Sequence, residues 1–453
     1  MTFWRYLLFG CGQFGVMSLV RFFFQWIVKF PSSAKVGTLP GKLPAESLPD
    51  FVGESPEASL FGAAATVGAI FLGFRIFDAV TDPVAGVVSD AWVRRGRERR
   101  SLLWFALLLP SLGLYAIFAP DGSLAPGLRL ALVSVGMFLF FVGYTFYAIP
   151  YWSLIDDYSG DDEHTRRVLS NVLGAGLLLA TLAGFVVSGL LIERYGYRRA
   201  ALLFALPSVI LMTGPYFARP PGLAAPERRE RQDPLAAFRG FARAFRHSRF
   251  LAVLLIFSGS QMSFAVMTSA AALIVERLLG GTDGDVGKVL GPFLLTALLS
   301  FALVPTLSRR LGWQRSVALA SLLLGVVYAG TAFLGRTLVV DEWFTAGLLF
   351  ALGGPMAAVL LGLEGEAVTA CARETGEEVT SVYFGVFNLV IKFMNGVAIF
   401  ITARLADLAA PEAWGDWAVR AMGFTAGGLL ALGVAAYALL PKGPPANHTA
   451  PPA

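Results

Sequence analysis

Apolar residues come along this chain in long runs broken by short polar stretches, without the strict alternation of a half-buried strand or the single stripe of a water-soluble helix. A bilayer core takes about 20 apolar residues per helix, and runs of that size predict about twelve transmembrane helices. They cover roughly Trp4–Phe30, Leu60–Ser89, Leu102–Phe118, Leu128–Ile155, Val168–Leu191, Arg199–Phe217, Leu251–Val275, Val286–Leu307, Ser316–Leu334, Trp343–Leu363, Val379–Ala406 and Ala418–Leu440. A polar loop with several prolines, about residues 31–58, follows the first. Between the sixth and seventh, "PLAAFRGFARAFRHSRF" alternates apolar residues and arginines at helical spacing and predicts an amphipathic surface helix. The expected organisation is a six-helix half over 1–217, a cytoplasmic linker over 218–249, a second six-helix half over 250–440, and a proline-rich disordered tail over 441–453.

Composition sharpens this picture. Hydrophobic residues make up 56% of the 453, and only 15% are charged, against about 25% in a typical soluble domain. The mean hydropathy is +0.66. The chain is therefore expected to be an all-α integral membrane protein with the lipid bilayer as its main partner, and a monomer. The net charge of +5 is modest, but its placement is not random: Arg94, Arg95, Arg97, Arg99 and Arg100 crowd one loop, and eight arginines crowd the middle one. The positive-inside rule puts those loops and both termini in the cytoplasm, in a plasma (inner) membrane. That accounts for the basic charge without a nucleic-acid partner. The first run is too long for a signal peptide and contains Arg21, so it is read as a retained span. Cys11 and Cys371 supply no disulfide framework, and the three histidines fall in loops or the tail. No Ser/His/Asp, HExxH or CxxC constellation and no phosphate-binding loop is present, so an enzyme is not expected.

Charges inside the spans carry the candidate chemistry, because each costs about 2.5–3.5 kcal/mol at the centre of an inserted helix. "FRIFDAVTDPVAG" holds Arg75, Asp78 and Asp82 in the second span. Asp78 and Asp82 are four apart and share a helix face, with Arg75 a turn before. Thr81 adds a hydroxyl close by. Such an all-oxygen cluster suits a hard cation such as Na⁺, or a proton, since neighbouring buried carboxylates raise each other's pKa. A structural ion pair between Arg75 and Asp78 would account for two of the three charges and leave Asp82 unexplained. In the eleventh span Lys392 lies too far from either end to snorkel, and its natural partner is the Asp78/Asp82 pair in the opposite half. Two readings stay open for Arg21: lining a substrate cavity or reaching an interface. Asp90 and Arg94, with Glu364 and Glu366 at the inner end of the tenth span, are candidates for a cytoplasmic gate.

Two six-span halves around a basic loop suggest a parallel repeat. "GVVSDAWVRRGRERR" after the second span and "PTLSRRLGWQRS" after the eighth echo each other, each with arginines around a glycine. "FRIFDAVTDPVAG", "YAIPYWSL" (147–154) and Lys392 together resemble the glycoside-pentoside-hexuronide:cation symporters, the melibiose permease-like branch of the major facilitator superfamily. The resemblance implies a major-facilitator fold and cation-coupled import, with no cofactor beyond a coupling ion, Na⁺ or H⁺. It implies that Asp78 and Asp82 hold the cation with Thr145, that Lys392 sits beside them, and that Trp152 belongs to the sugar site. Thr81 stands where an asparagine assists Na⁺ in the permease.

The sequence also departs from that pattern. Ala148 stands where sugar-transporting members carry an acid, Val16 and Met17 replace a Lys-Asp pair, and no arginine appears near Asn171–Gly176. An unmet buried polar group costs about 1–3 kcal/mol, so a galactoside fits poorly. The wider family includes a lysophospholipid symporter. A cavity lined by Met17, Phe22, Phe23, Phe146 and Tyr147 would suit an amphipathic solute, with Arg21 or Lys392 meeting an anionic head. The function expected is cation-coupled symport of a small organic solute. The alternatives are transport of a lysophospholipid-like solute and a passive channel or scramblase on the same fold.

Overall fold

The computed structural model describes residues 1–32, 63–160, 162–221, 244–336, 341–373, 380–409 and 413–440. The 31–58 loop beyond Ser32, most of the 218–249 linker with its expected amphipathic helix, and the 441–453 tail lie outside the described residues. All regular structure among the described residues is helical, as hydrocarbon demands of a chain that must pair its own backbone N–H and C=O groups.

The longer helices are α1 Phe3–Trp26, α2 Ala63–Arg94, α3 Leu109–Phe118, α4 Pro126–Ser159, α5 Glu163–Leu182, α6 Ser188–Met212, α7 Ser248–Leu278, α8 Val286–Phe301, α9 Trp313–Gly330, α10 Glu342–Arg373, α11 Thr380–Leu408 and α12 Asp416–Leu439. Eleven helical runs among the described residues are long and apolar enough to cross a membrane. One of them, Glu163–Phe217, has 55 residues and would be about 80 Å long if straight, against a hydrocarbon core of about 30 Å. It joins α5 to α6 through a π-helical turn at Ala183–Val187 and breaks at Gly196, with φ 76° and ψ 167°, a conformation that an L side chain rarely adopts. Exposed Phe3, Trp4, Trp104 and Phe105 gather toward one end of the bundle and exposed Trp414 and Trp417 lie at the other, as membrane-interface aromatics do.

Small residues bring the helices together, as is usual where lipid removes any hydrophobic drive between them. A Cβ on Gly113 of α3 would lie 2.4 Å from the backbone nitrogen of Phe140 in α4, and one on Gly354 of α10 would lie 2.1 Å from Thr296 Oγ1 of α8. The strongest pairings are α7 with α12, α8 with α10, α2 with α11, and α3 with α4. Of these, only α2 with α11 joins the first six helices to the last six.

The two ends of the bundle differ. At one end, Lys29 just beyond α1 is paired with Asp283 and lies 2.7 Å from Glu276 at the end of α7. Asp407 of α11 accepts the Ala64 and Ala65 backbone N–H groups at 3.1 and 2.8 Å, capping orphan donors at the start of α2. At the other, arginine-rich end, Gly96 and Gly312 within the echoed segments have matching φ of 76° and 78°. Hydrogen bonds and ion pairs joining the two sets of helices among the described residues lie at the Lys29 end or at mid-depth, and none lies at the arginine-rich end.

Candidate functional site

α2 and α11 come close enough to share side chains because α11 is trimmed where they meet. A Cβ on Gly396 would lie 2.8 Å from Leu72 and 3.1 Å from Arg75 Cβ. One turn earlier, Lys392 extends its ammonium between two carboxylates of α2. Its Nζ is 3.0 Å from Asp78 Oδ2 and 2.5 Å from Asp82 Oδ2. Arg75 Nη1 donates to Asp78 Oδ2 at 2.7 Å, and its guanidinium lies over the rings of Phe24 and Phe141 at 5.4 and 5.7 Å. Thr145 of α4 donates its hydroxyl to Asp78 Oδ1 at 2.6 Å, with Asp82 Oδ1 at 3.4 Å. Asp78 is fully buried, whereas the Asp82 side chain keeps 22% of its exposure. Two cations and two carboxylates make the cluster formally neutral, which is how a low-dielectric interior tolerates four charges. Both sequence readings are present together: the Arg75–Asp78 ion pair exists, and Asp82 is explained by Lys392.

Thr81 stands apart from this set. Its hydroxyl donates to the backbone carbonyl of Asp78 at 3.1 Å, so it does not bond the carboxylates. Pro83 leaves α2 unbroken.

Beyond the cluster, polar side chains face the space between the two sets of helices. Trp152 Nε1 of α4 donates to Gln13 Oε1 of α1 at 3.0 Å. Tyr144 lies partly exposed on the same face of α4, its ring 5.9 Å from Lys392 Nζ and 6.5 Å from the Trp152 ring. On α11, Asn388 is exposed and Asn395 partly so, with Asn395 Oδ1 lacking a partner. Gln13, Asn388 and Asn395 were missed in the sequence, although an amide inside an apolar run is a readable signal of the same kind as a charge. Arg21 lies beside the π-helical turn, over the Phe185 ring at 5.8 Å.

Several expectations need correction. Tyr147 is not a lining residue: it is fully buried and donates its hydroxyl to Met212 O at 2.6 Å. Met17, Phe22 and Phe23 are buried too, the two phenylalanines in a ring cluster with Phe118, Phe204, Phe71 and Phe140. The expected aromatic cavity is therefore a packed core: the helix face toward Tyr144 and Trp152 is the open one, and Tyr147 lies off it. Among the described residues the gate candidates make no bond between the two sets of helices. Asp90 pairs with Arg99 at 3.0 Å, which also holds Asp157 at 3.0 Å. Glu366 accepts from Ser308 at 3.1 Å. Glu364 is partly buried in α10 and accepts from Gln261 Nε2 of α7 at 2.6 Å. Arg94, at the end of α2, has no bond to the last six helices. Among the described residues, no group of three or more His, Cys, Asp or Glu is placed to hold a metal ion.

Comparison with known proteins agrees with this architecture. The family described as MFS/sugar transport protein matches residues 60–410. YagG of Escherichia coli (strain K12), a protein named for glycoside/cation symport, is 28% identical over 165 residues. That match spans 34% of this chain and 35% of YagG, about a third of each. Among solved structures, the nucleoside transporter NupG superposes with a TM-score of 0.68 at 13% identity, covering 97% of this chain and 99% of that one. A peptide transporter POT in complex with sulfate gives 0.65 at 15%, covering 96% and 94%. A bacterial homologue of the human lysosomal transporter Spinster gives 0.64 at 14%, covering 96% and 97%. Identities this low speak for the fold alone. With a family match over most of its length and a bundle of membrane-length helices, the chain belongs to the MFS/sugar transport protein family, and is a membrane transporter rather than an enzyme.

Proposed function

We propose that the protein couples entry of a cation, Na⁺ or H⁺, to uptake of a small organic solute by alternating access. The observation that carries this reading is Lys392 seated between Asp78 and Asp82, across the one strong helix pair that joins the two sets. The neutral cluster has no net charge with which to hold a further cation. An incoming Na⁺ or proton must compete with the ammonium for Asp82, the more exposed carboxylate, with Thr145 as a further oxygen. Its arrival releases Lys392, loosens the α2–α11 seam and frees a cationic group toward the solute. Arg75 stays bonded to Asp78. Coupling between two sites in such systems is typically about 1–3 kcal/mol.

In this reading the Glu163–Phe217 run counts as two crossings, giving twelve. Residues 1–217 and 250–440 are the two halves that rock about the midplane, and the 218–249 segment links them. Arginine-rich loops face the cytoplasm by the positive-inside rule, with both termini inside and the protein a monomer in the plasma (inner) membrane. The described residues, joined across the two sets by ion pairs at the Lys29 end and by none at the other, then correspond to a cytoplasm-facing state. Tyr147, Phe22 and Phe23 are buried and do not supply the apolar lining expected for a lysophospholipid-like solute. Gln13, Trp152, Asn388 and Asn395 favour a polar one.

The test is uptake into proteoliposomes under an imposed Na⁺ or pH gradient. Asp78→Asn and Asp82→Asn should each abolish concentrative uptake while leaving solute counterflow within about threefold of wild type. Both variants concentrating solute at the wild-type level refutes the cation-site assignment, and solute flux independent of either gradient favours a channel or scramblase.

A further inference from the structure

We propose that Arg21 is the anchor for an anionic group on the transported solute, so that the protein selects organic anions over their neutral counterparts. The proposal rests on the transport reading above and specifies the chemistry of its solute. Charge bookkeeping comes first. Arg75, Lys392, Asp78 and Asp82 cancel among themselves. Glu364 is bonded to Gln261 on α7 and is not among the groups acting on Arg21. That leaves the Arg21 guanidinium, five residues before the end of α1, with no carboxylate partner among the described residues. Among the described residues the Tyr144 phenol lies near enough to interact with it, and its Nε is buried with no hydrogen-bond partner. An arginine within a span is costly without a partner, and a bound anion would supply one.

The base of the side chain is closely packed. A Cβ on Gly184 would lie 2.2 Å from Arg21 Cβ, and Gly184 is the point at which α1 and the π-helical turn touch. π-helical turns inside longer helices are frequent at functional sites. The Phe185 ring, 5.8 Å from the guanidinium carbon, covers one face and leaves the fork of N–H donors for another ligand. The Tyr144 ring lies 5.9 Å from Lys392 Nζ, and its phenol is near enough to Arg21 for the two to interact. An anion at Arg21 therefore sits near the ammonium that the coupling cation displaces, and gains a second positive neighbour only once the cation has bound. The geometry matches the planar, bidentate recognition of a carboxylate or phosphate.

The test uses purified protein in nanodiscs and pairs of probes that differ by one anionic group: p-nitrophenyl β-glucuronide against the glucoside, gluconate against sorbitol, and lysophosphatidylglycerol against monoacylglycerol. Binding is read by thermal shift and by titration, in NaCl and in choline chloride, at two pH values. Wild type should prefer the charged member of at least one pair by tenfold or more. The pair that responds tells a free sugar acid from a lipid headgroup. Arg21→Gln should erase that preference without weakening the neutral member, and Arg21→Lys should restore part of it. No preference in any pair on wild type overturns the proposal without recourse to a variant, as does an Arg21→Gln protein that keeps the preference. Should Arg21→Gln not fold, Arg21→Lys decides: an undiminished preference with the fork removed overturns the bidentate contact. A preference for the anion that is indifferent to Na⁺ and pH supports Arg21 and counts against coupling, while cation-dependent binding of neutral and charged members alike does the reverse.

Discussion

Lys392 and Asp82 are expected to be worth more together than the sum of their separate losses. Nζ lies 2.5 Å from Asp82 Oδ2 and 3.0 Å from Asp78 Oδ2, and at an effective dielectric of about 20 such contacts attract by about 6–7 and 5–6 kcal/mol respectively before desolvation is subtracted. Desolvation takes back most of that, and the useful quantity is what remains when one partner is removed. Lys392→Gln leaves Asp82 with only a 3.4 Å approach from Thr145, while Asp78 keeps Arg75 and Thr145. An unpaired buried charge of this kind costs about 3–5 kcal/mol. Asp82→Asn leaves Lys392 its contact with Asp78, so it should cost less. The double variant Lys392→Gln/Asp82→Asn removes one charge of each sign and restores neutrality. The double-mutant cycle should return an interaction energy of about 2–3 kcal/mol, at the upper end for directly bonded pairs. The measurement is equilibrium unfolding in mixed micelles, with helicity and tryptophan fluorescence as parallel probes. Additivity within about 0.5 kcal/mol would mean that the two side chains do not depend on one another, and the argument for a shared cluster would fail with it.

Two further outcomes follow from contacts elsewhere. Lys29→Gln, which uncouples α1 from Glu276 and Asp283, should shift the population toward a form open at that end; a single cysteine at Asn395, in a background lacking Cys11 and Cys371, should then react about tenfold faster with a membrane-impermeant thiol reagent added to that face, and an unchanged rate would show that the triad is no latch. Gly184→Val, whose Cβ would fall 2.2 Å from Arg21 Cβ, should cost about 1–3 kcal/mol as an overpacked contact, measured in the same micellar unfolding assay, whereas a stability equal to wild type would mean that α1 and the π-helical turn separate freely.

The corrected residues share a cause. Phe22, Phe23 and Tyr147 were expected in a cavity because they are aromatic and lie on spans that line one. On a helix surrounded by other helices and lipid, every face is apolar, and hydrophobicity does not say which face is open. α4 illustrates it: Tyr144 and Trp152 are partly exposed, while Tyr147 and Tyr151 on the same helix are fully buried and donate to the carbonyls of Met212 and Phe9. The partners of the gate candidates were hidden for a related reason. Asp90, Glu364 and Glu366 stand at or near helix ends, where a charge is cheap, and nothing in such a position specifies whether its partner lies on the same or the opposite half.

By itself the sequence determined the class and most of the charged cluster. Runs of about 20 apolar residues leave no soluble alternative, and carboxylates four apart on one helix must share a face. The high cost of a mid-span lysine also required an acidic partner, and Asp78 with Asp82 was the natural choice across the halves. Tertiary structure alone decided which face of each helix is open, that Lys29 meets Glu276 and Asp283 across more than 240 residues of chain, that Glu364 answers to Gln261, and that Arg21 finds no acid among the described residues. A strict helical period and a solvation cost are local or one-body properties and can be read along the chain. Pairing between distant helices depends on which small residues, such as Gly184 and Gly396, let two backbones approach, and that is settled only when the bundle is assembled.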